Sequence, residues 1–206
     1  MFKVLYSDRD IAVIVKPCGV ISEDGEGSVC NLIRESLGVN DVYPVHRLDR
    51  GVGGVMVYAL SKKAASSLSR AATENAIEKV YLAVVHGAPE EEKGIYTDLL
   101  FKDSKKNKSY VVTRERKGVR YAELSYEVLS SDGEKSLVRV KLHTGRSHQI
   151  RVQFSSRRMP LFGDRKYGAS DDEKEIALFS HRLTFPHPSG EVMTFSELPE
   201  GEIWSN

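Results

Sequence analysis

The densest group of chemically capable side chains in this sequence lies in residues 141–151 (KLHTGRSHQIR). It combines imidazoles, an amide and guanidiniums: His143, Arg146, His148, Gln149 and Arg151. Because residues three apart share a helix face, a helix here would place Arg151 beside His148. Ile150 and Phe154 would form an adjacent apolar face for packing. Arg151 would then be presented to a carboxylate or a phosphate, the groups that a guanidinium matches in geometry. The alternative is a solvated basic turn.

A carboxylate between two arginines is the second candidate, in residues 43–54 (YPVHRLDRGVGG). Asp49 lies between Arg47 and Arg50, just before a glycine-rich stretch and an apolar run. Glycines allow another backbone to approach closely, so this segment is a plausible site at the mouth of a buried strand. The alternative is an aspartate that caps a loop or forms a surface ion pair.

The third candidate is Tyr81, within residues 78–87 (EKVYLAVVHG). Tyr81 alternates with Val80 and Leu82, so on a strand it faces away from them, on the same side as Ala83. Tyrosines on strands usually serve packing, so Tyr81 alone does not indicate a function.

Apolar periodicity predicts the elements that must position these groups. The predicted strands are 4–6, 11–15, 53–60, 77–85, 109–113, 121–129 and 137–142, with 177–179, 181–185 and 191–195 forming a closing hairpin. Ser28 and Ser61 are predicted to cap two helices, and Gly38 to end the first. Most connections are too short for parallel crossovers, which favours a largely antiparallel α+β sheet. Segments 88–94 and 170–174 are typical of surface loops, so we expect one domain with two sub-lobes.

Composition limits the class of protein. With 206 residues and 40% hydrophobic content, the chain can bury the core of one large or two small domains. Neither a membrane-spanning apolar run nor a secretory signal is visible, and no long apolar stripe suggests an oligomer, so we expect a monomer. Cys18 and Cys30 lack metal-ligand spacing, which favours free thiols in a reducing cytoplasm, although a disulfide stays open.

The charge distribution is more informative than the net charge of +1. Basic residues dominate 102–120 and 139–166, where Asp164 is the one acidic residue of the second segment, and acidic residues dominate 171–206. Such polarity suits a protein that offers one face to a polyanion such as a nucleic acid. Surface lysines are often merely solvated, so this signal is supportive only.

Taken together, three motifs resemble those of the RluA-type pseudouridine synthases in order and spacing. They are residues 46–49 (HRLD), 79–83 (KVYLA) and 144–151 (TGRSHQIR), of which the first and third are specific. The resemblance extends over nearly the whole chain, with supporting matches at Lys16-Pro17 with Gly19, at 163–168 (GDRKYG) and at 181–188 (HRLTFPHP).

The resemblance implies a single pseudouridine synthase catalytic domain over residues 1–206. Its fold would be α+β, a twisted, mixed, largely antiparallel sheet flanked by helices, with a central basic cleft that binds RNA. The implied reaction isomerises a uridine of ribosomal or transfer RNA to pseudouridine in the cytoplasm, without a metal or an organic cofactor. The uracil is detached from its ribose, rotated and rejoined through carbon.

The resemblance also implies roles for the three candidates. Asp49 would be the essential carboxylate, ionised at neutral pH because the reference pKa of aspartate is about 3.9. It would either attack the sugar or base directly or assist departure of the uracil along a glycal-type route, and both routes stay open. Arg151 would pair with Asp49 and keep it charged. Tyr81 would stack under the uracil and move a proton.

The remaining site residues would handle the RNA. A target uridine must leave its helix or loop, at a cost of roughly a few kcal/mol. Arg47 is suited to fill the vacated space, because a planar cation can stack on bases and bind phosphate. His46, Arg146 and Gln149 would contact RNA or support the site, and His148 would be either a structural hydrogen-bonding group or an RNA ligand.

Three features depart from the family pattern. Residues 52–54 (VGG) replace a Thr-Ser-Gly-like segment, and Gln153 stands where a histidine is commoner. Many relatives carry an N-terminal S4-type domain, whereas this sequence begins with the catalytic hairpin, so we expect RNA selection by the cleft and its basic loops.

Two other classes of function stay open. A catalytically silent RNA-binding relative is disfavoured because Asp49, Tyr81 and Arg151 are all present. An unrelated hydrolase, such as a glycosidase or phosphatase, is disfavoured because a glycosidase needs a pair of carboxylates. The nearest acidic residue to Asp49 in the sequence is Asp41.

Overall fold

Strands form most of the regular structure, as the alternating patterns predict. The structure is a computed structural model that describes residues 2–205. In chain order the strands are β1 (Lys3–Ser7), β2 (Ile11–Lys16), β3 (Tyr43–Pro44), β4 (Gly53–Ala59), β5 (Glu78–His86), β6 (Lys93–Asp103), β7 (Lys108–Val112), β8 (Val119–Ser131), β9 (Lys135–Leu142), β10 (Leu178–Pro186) and β11 (Val192–Ser196). The α-helices are α1 (Val29–Leu37), α2 (Lys62–Thr73) and α3 (Gln149–Ser155), and short 3-10 helices cover Arg165–Tyr167 and Glu202–Trp204. The predicted α+β class is confirmed.

The chain divides into two compact units. The first unit contains the residues up to Lys79 together with Phe179–Pro199, and the second contains Val80–Leu178 and the residues from Glu200 onward. The prediction of a single catalytic domain over residues 1–206 stays a prediction.

In the first unit the strands lie in the order β1-β2-β4-β10-β11, with β3 also paired to β4. Strands β4 and β10 run parallel, with Ser180 opposite Gly54, and the other described pairs of this unit are antiparallel. The predicted hairpin of residues 4–15 is therefore confirmed. The late segments 177–179 and 181–185 form one continuous strand, β10, which makes the predicted closing hairpin with β11.

Both helices of the first unit begin as predicted. The Ser28 hydroxyl accepts a hydrogen bond from the Asn31 amide, and Gly38 ends α1 with a left-handed φ of 66°. The Ser61 hydroxyl accepts from the Ala64 amide at the start of α2. Helix α2 buries its small and apolar face against β2, β4 and β10, and β4 is buried at every position. This packing gives the segment before β4 a rigid base.

In the second unit the strand order is β5-β9-β8-β6-β7, and the pairs β9–β8, β8–β6 and β6–β7 are antiparallel. In β9 the residues Ser136, Val138 and Val140 are buried while Arg139 and Lys141 are exposed, so one face of this strand is solvated.

The sequence interpretation missed one long strand. Segment 88–94 was predicted to be a surface loop, but β6 begins at Lys93 and continues to Asp103. The alternation of apolar and polar residues is interrupted in this strand, because the polar residue Asp98 faces inward. Asp98 accepts hydrogen bonds from Gln153 (2.7 Å) and Arg157 (2.9 Å). The short strand β3 was also missed. Segment 170–174 has no regular structure, as expected.

Two further expectations concern the environment of the chain. In the part of the chain that the structure describes, Cys18 and Cys30 are not joined in a disulfide, in agreement with the sequence interpretation. Within residues 2–205, every helix is too short or too polar to cross a lipid bilayer.

Candidate active site

Asp49, the predicted catalytic carboxylate, lies half-buried in the loop between β3 and β4. The Ser22 hydroxyl lies within hydrogen-bond distance of both the carbonyl (3.0 Å) and the amide (3.3 Å) of Leu48. The Asp49 carbonyl in turn accepts from the Val52 amide at 2.9 Å. The backbone is therefore anchored immediately before and after the carboxylate.

A buried ammonium fixes the other side of this loop. Lys16, at the end of β2, is 1% exposed, and its Nζ donates to the carbonyls of Pro17 (2.9 Å), Arg50 (3.2 Å) and Val52 (2.8 Å). Burial lowers the pKa of Lys16 to about 8, and the Asp49 carboxylate opposes this shift. Lys16 is therefore still largely protonated at neutral pH. The sequence interpretation noted Lys16 only as part of a supporting match, because nothing local to the sequence shows its burial.

The glycines after Asp49 permit the close backbone approach that was predicted. Gly54 has a φ of 121°, and a Cβ there would lie 2.4 Å from the carbonyl oxygen of Ser180 on β10. A Cβ on Gly53 would lie 3.2 Å from the Lys16 carbonyl oxygen. Glycine at position 53 thus relieves a tight contact with the Lys16 turn.

His46 is a neutral imidazole that extends the pairing of β3 with β4. Its Nε2 accepts a hydrogen bond from the Val57 amide at 3.3 Å. Burial, assisted by the charge of Lys79, lowers the His46 pKa to about 3. Since Nε2 is the acceptor, the single proton of this neutral ring is on Nδ1. Nδ1 is buried, and it has no hydrogen-bond partner among residues 2–205, an arrangement that typically costs about 1–3 kcal/mol.

Arg47, next to His46, has a different environment. Its side chain is 67% exposed and forms an ion pair with Glu23 at 2.5 Å. Exposed pairs of this kind contribute little stability, so the pair can be exchanged for another anion at low cost.

In the second unit, Gln149 organises the turn that precedes α3. The Gln149 side chain is buried. Its Oε1 accepts hydrogen bonds from the Thr144 hydroxyl (2.8 Å) and the Arg146 amide (2.9 Å). Its Nε2 donates a hydrogen bond to the Glu123 carbonyl (3.0 Å). Arg146 itself is exposed, and its Nε donates to the Tyr121 carbonyl at 2.8 Å. Gln149 thus positions Arg146.

His148 precedes the helix instead of belonging to it. Its φ of 53° is left-handed, and α3 begins at Gln149, so the predicted helix face shared by His148 and Arg151 is wrong. The His148 Nδ1 lies 2.9 Å from the Tyr167 hydroxyl, which accepts from the Ser109 amide at 2.8 Å. The Tyr167 hydroxyl thus joins His148 to the Ser109 backbone, and the His148 tautomer determines which atom donates in the first of these bonds. A structural hydrogen bond is observed, while an RNA contact of His148 stays a prediction.

Arg151 binds a carboxylate, as its geometry suggested. Its Nε and Nη2 donate to the two oxygens of Asp164, at 2.6 and 2.8 Å, and its guanidinium carbon lies 5.1 Å from the centre of the Tyr167 ring. The two charged side chains are 6% and 1% exposed. The pairing of Arg151 with Asp49 stays a prediction. Asp164 was missed as a site residue, although it is the lone acidic residue of a basic segment.

The position of Arg151 within the buried helix α3 explains why its side chain is buried. All its residues from Gln149 to Phe154 are buried, so the helix has no broad wet face. Phe154 packs its ring against Tyr96 and Tyr126 at centroid distances of 5.2 and 6.0 Å. The expected apolar packing of Ile150 and Phe154 is confirmed.

Tyr81 lies on β5 and is 6% exposed. The alternation of the strand places Lys79 and Ala83 on the same side as Tyr81, and Val80 and Leu82 on the opposite side. Tyr81 is thus held on a regular strand and not on a loop, which gives a ring a defined orientation.

Comparisons with known proteins agree with this arrangement of motifs. The family described as RNA pseudouridylate synthase matches residues 10–156. An uncharacterized RNA pseudouridine synthase of Aquifex aeolicus (strain VF5) is 34% identical over 227 residues, covering 98% of this chain and 71% of the relative. The ribosomal large subunit pseudouridine synthase C of Buchnera aphidicola subsp. Acyrthosiphon pisum is 31% identical, covering 96% of this chain and 67% of the relative.

A solved structure shows the same fold. Human RNA Pseudouridylate Synthase Domain Containing 1 superposes with a TM-score of 0.83 at 23% identity, covering 97% of this chain and 84% of the human one. The chain belongs to the RNA pseudouridylate synthase family, in its RluA branch. The class of enzyme predicted from the motifs, an isomerase that acts on RNA, is therefore confirmed.

Proposed function

We propose that this enzyme converts a uridine in ribosomal or transfer RNA to pseudouridine, with Asp49 as its essential carboxylate. The observation that carries the proposal is the anchored loop around Asp49, held by Ser22 on one side and by the buried Lys16 on the other. A carboxylate fixed before substrate arrives is what orientation-dependent catalysis requires. Ribosomal RNA is the first substrate to test, because the Buchnera relative is named for the large ribosomal subunit.

The proposed reaction conserves all atoms of the uridine. The bond from N1 of the uracil to C1′ of the ribose breaks, the base rotates, and C5 bonds to C1′. The C5 proton leaves and N1 gains a proton, so no oxidant, metal or organic cofactor is needed. Asp49 either attacks carbon or assists loss of the base, and Tyr81 stacks on the flipped uracil and participates in proton transfer.

Arg151 has an electrostatic task in this proposal. A guanidinium near a carboxylate favours its ionised form, so Arg151 would keep Asp49 charged. The bidentate contact with Asp164 restricts the Arg151 side chain to one orientation. An arginine that is already oriented loses little entropy when it meets a further partner.

Five residues are proposed to hold the RNA: His46, Arg47, Arg146, His148 and Gln149. Arg47 and Arg146 are suited to direct contact, because one is exposed and weakly paired and the other is exposed on an anchored turn. Gln149 would act through the backbone of Arg146. We expect the enzyme to work as a monomer in the cytoplasm.

The test is the Asp49→Asn variant on RNA transcribed without modification. We expect normal folding and RNA affinity but almost complete loss of carbodiimide-detectable pseudouridine, because the amide keeps the shape and lacks the charge. Asp41→Asn is the matched control, since Asp41 is exposed and accepts a hydrogen bond from the hydroxyl of Tyr43, two residues away. Activity of Asp49→Asn within tenfold of wild type would remove Asp49 from the mechanism.

The same experiment separates the alternative classes. Tight RNA binding by the wild-type protein without any pseudouridine would favour a silent RNA-binding protein. If pseudouridine is formed, mapping pseudouridines in cells with and without the gene would identify the modified RNA and position.

A further inference from the structure

Asp164, the buried partner of Arg151, lies in a turn that is hydrogen-bonded to the chain on both sides. The amide of Phe162 donates to the Val84 carbonyl on β5 at 3.0 Å, and the Phe162 carbonyl accepts from the Ala177 amide at 2.9 Å. The turn is therefore tied to β5 on one side and to the segment that precedes β10 on the other. All of these residues belong to the second unit.

A second carboxylate, Asp171, connects this turn to the end of β5. Its two oxygens lie 3.0 and 3.2 Å from the amide of Gly163, which donates to them, and Oδ1 also accepts from the Glu173 amide at 3.0 Å. Its Oδ2 lies 2.7 Å from Nε2 of His86, the last residue of β5. Because Gly163 immediately precedes Asp164, the Asp171 side chain holds the backbone that carries the partner of the arginine.

The Asp171 carboxylate is ionised in this setting. Its side chain is 12% exposed, and burial by itself would raise its pKa. The hydrogen bonds from His86 and from the amides of Gly163 and Glu173 more than offset burial and lower the pKa of Asp171. An ionised carboxylate can only accept hydrogen bonds. The Nε2 atom of His86 therefore carries a proton and donates it, in either charge state of the ring.

The His86 ring is itself aligned by its neighbours. It stacks on Phe162 with a centroid distance of 3.8 Å and an angle of 11° between the ring planes. The backbone amide of His86 donates to the Pro160 carbonyl at 3.0 Å. Rotation of the ring would break the stacking, so Nε2 is directed at the Asp171 carboxylate.

The turn is held closely on both sides of Asp164 in the sequence. Gly163 has a left-handed φ of 72°, and a Cβ there would lie 2.0 Å from the carbonyl oxygen of Glu175. The Arg165 guanidinium donates to the backbone carbonyl of Asp171 at 2.9 Å. Asp171 thus contacts the residue before and the residue after Asp164. A displacement of Asp171 would move the Asp164 carboxylate, which accepts two hydrogen bonds from the guanidinium on α3.

We propose that Asp171 is a positioning residue for Arg151. Oriented by His86, it holds the turn at Gly163 so that the Asp164 carboxylate meets the guanidinium in one geometry. This inference rests on the proposed function, in which Arg151 acts on the catalytic carboxylate. It adds two residues, Asp171 and His86, that contact neither the arginine nor the substrate in the proposed mechanism and act through the backbone of the turn.

The first test measures pseudouridine formation on an unmodified transcript of large-subunit ribosomal RNA, at a temperature where circular dichroism shows each variant to be folded. We expect Asp171→Ala to lower kcat at least tenfold and to change KM less than twofold, because it disturbs the orientation of Arg151 and removes no RNA-binding group. Asp171→Asn should restore kcat to within threefold of wild type, since its amide oxygen can still accept from Gly163 and Glu173. Asp172→Ala is the matched control, because Asp172 is the next residue and is exposed.

Two outcomes of these kinetics would overturn the proposal. One is an equal effect of Asp171→Ala and Asp172→Ala on kcat. The other is a loss in Asp171→Ala that appears in KM and leaves kcat unchanged.

The second test examines whether His86 acts through Asp171. His86→Phe keeps an aromatic ring to stack on Phe162 and removes the nitrogen that faces the carboxylate. We expect it to lower kcat about threefold in the wild-type background and to have no further effect in the Asp171→Ala background, because residues that act through one contact are not additive. Additive losses would show that His86 acts by another route and would refute its assigned role.

The third test observes Arg151 directly, without RNA. The exchange of its Nε proton with water is measured by ¹⁵N NMR, with the resonance assigned by its loss in Arg151→Lys. We expect at least tenfold faster exchange in Asp171→Ala, because the 2.6 Å bond from Nε to Asp164 is loosened. Arg34, whose Nε donates to the Asn40 carbonyl in the first unit, is the internal control and should not change.

This measurement separates the inference from the function on which it rests. Unchanged exchange at Arg151 in a folded Asp171→Ala protein would overturn the inference even if the wild type is active. Faster exchange in Asp171→Ala, together with a wild type that forms no pseudouridine, would contradict the proposed function and support the positioning of Arg151 by Asp171.

Discussion

Replacing Asp164 with asparagine removes one negative charge from the buried pair with Arg151 while it keeps the size of the side chain. The Arg151 guanidinium is then left in a site where it is 6% exposed and has lost the charge of the carboxylate that accepts two of its hydrogen bonds. Removing one member of a buried pair typically costs about 3–5 kcal/mol, because the remaining charge is uncompensated. For a chain of this size that corresponds to a melting temperature lower by roughly 6–20 °C.

A surface pair provides the matched control. Glu127 lies in the same unit and forms ion pairs with Lys93 (2.8 Å) and Arg139 (2.7 Å), but its side chain is 34% exposed. Glu127→Gln therefore makes the same chemical change, and we expect it to cost less than about 1 kcal/mol. Urea unfolding followed by the fluorescence of Trp204, the single tryptophan, reports on the unit that contains both pairs.

A double variant separates charge from packing. Asp164→Leu combined with Arg151→Met leaves no charge at this buried position, so its cost should be smaller than that of Asp164→Asn alone. Turnover should fall in Asp164→Asn even at temperatures where the protein is folded, because Arg151 loses its orienting partner. A loss of stability no greater than that of Glu127→Gln would refute the reasoning.

Two further substitutions test the loop around Asp49. Arg47→Ala should weaken binding and slow turnover on structured RNA more than on an unstructured oligonucleotide, relative to the exposed control Arg9→Ala; equal losses on both substrates would count against a role in base flipping. Lys16→Met should abolish a pH dependence of stability. Because the folded-state pKa of Lys16 is about 8, below the ordinary 10.5, the unfolded state binds more protons between these values and stability rises with pH across that window. The free energy of unfolding rises by about 1.4 kcal/mol per pH unit at most. Urea unfolding of wild type and Lys16→Met from pH 7.5 to 10 measures this rise. A free energy of unfolding that changes with pH equally in both proteins would disprove the prediction.

The sequence was sufficient for features that depend on local pattern. Helix caps at Ser28 and Ser61, the β10–β11 hairpin and the role of Gly54 follow from backbone rules that act over a few residues. The motif around Asp49 was also recognisable, because its charged and glycine residues are contiguous.

Features that depend on distant partners were not predictable. Lys16 reads as an ordinary lysine at the end of a strand, and only the fold brings the carbonyls of Arg50 and Val52 to its ammonium. Strand β6 was missed for the same reason, since Asp98 is tolerated inside only because Gln153 and Arg157 donate to it. A buried polar residue has no local signature when its partner is far away in the chain.

The candidate catalytic charges share one structural principle. Asp49 is in a loop fixed by a buried cation, Lys16, and Arg151 is fixed by a buried anion, Asp164. Each of these supports acts within a single unit, so the orientation of each charge is established when that unit folds. The entropy of ordering the side chains is therefore lost during folding and not during the encounter with RNA. In the proposed mechanism, binding energy from RNA contacts then remains available for extruding the uridine.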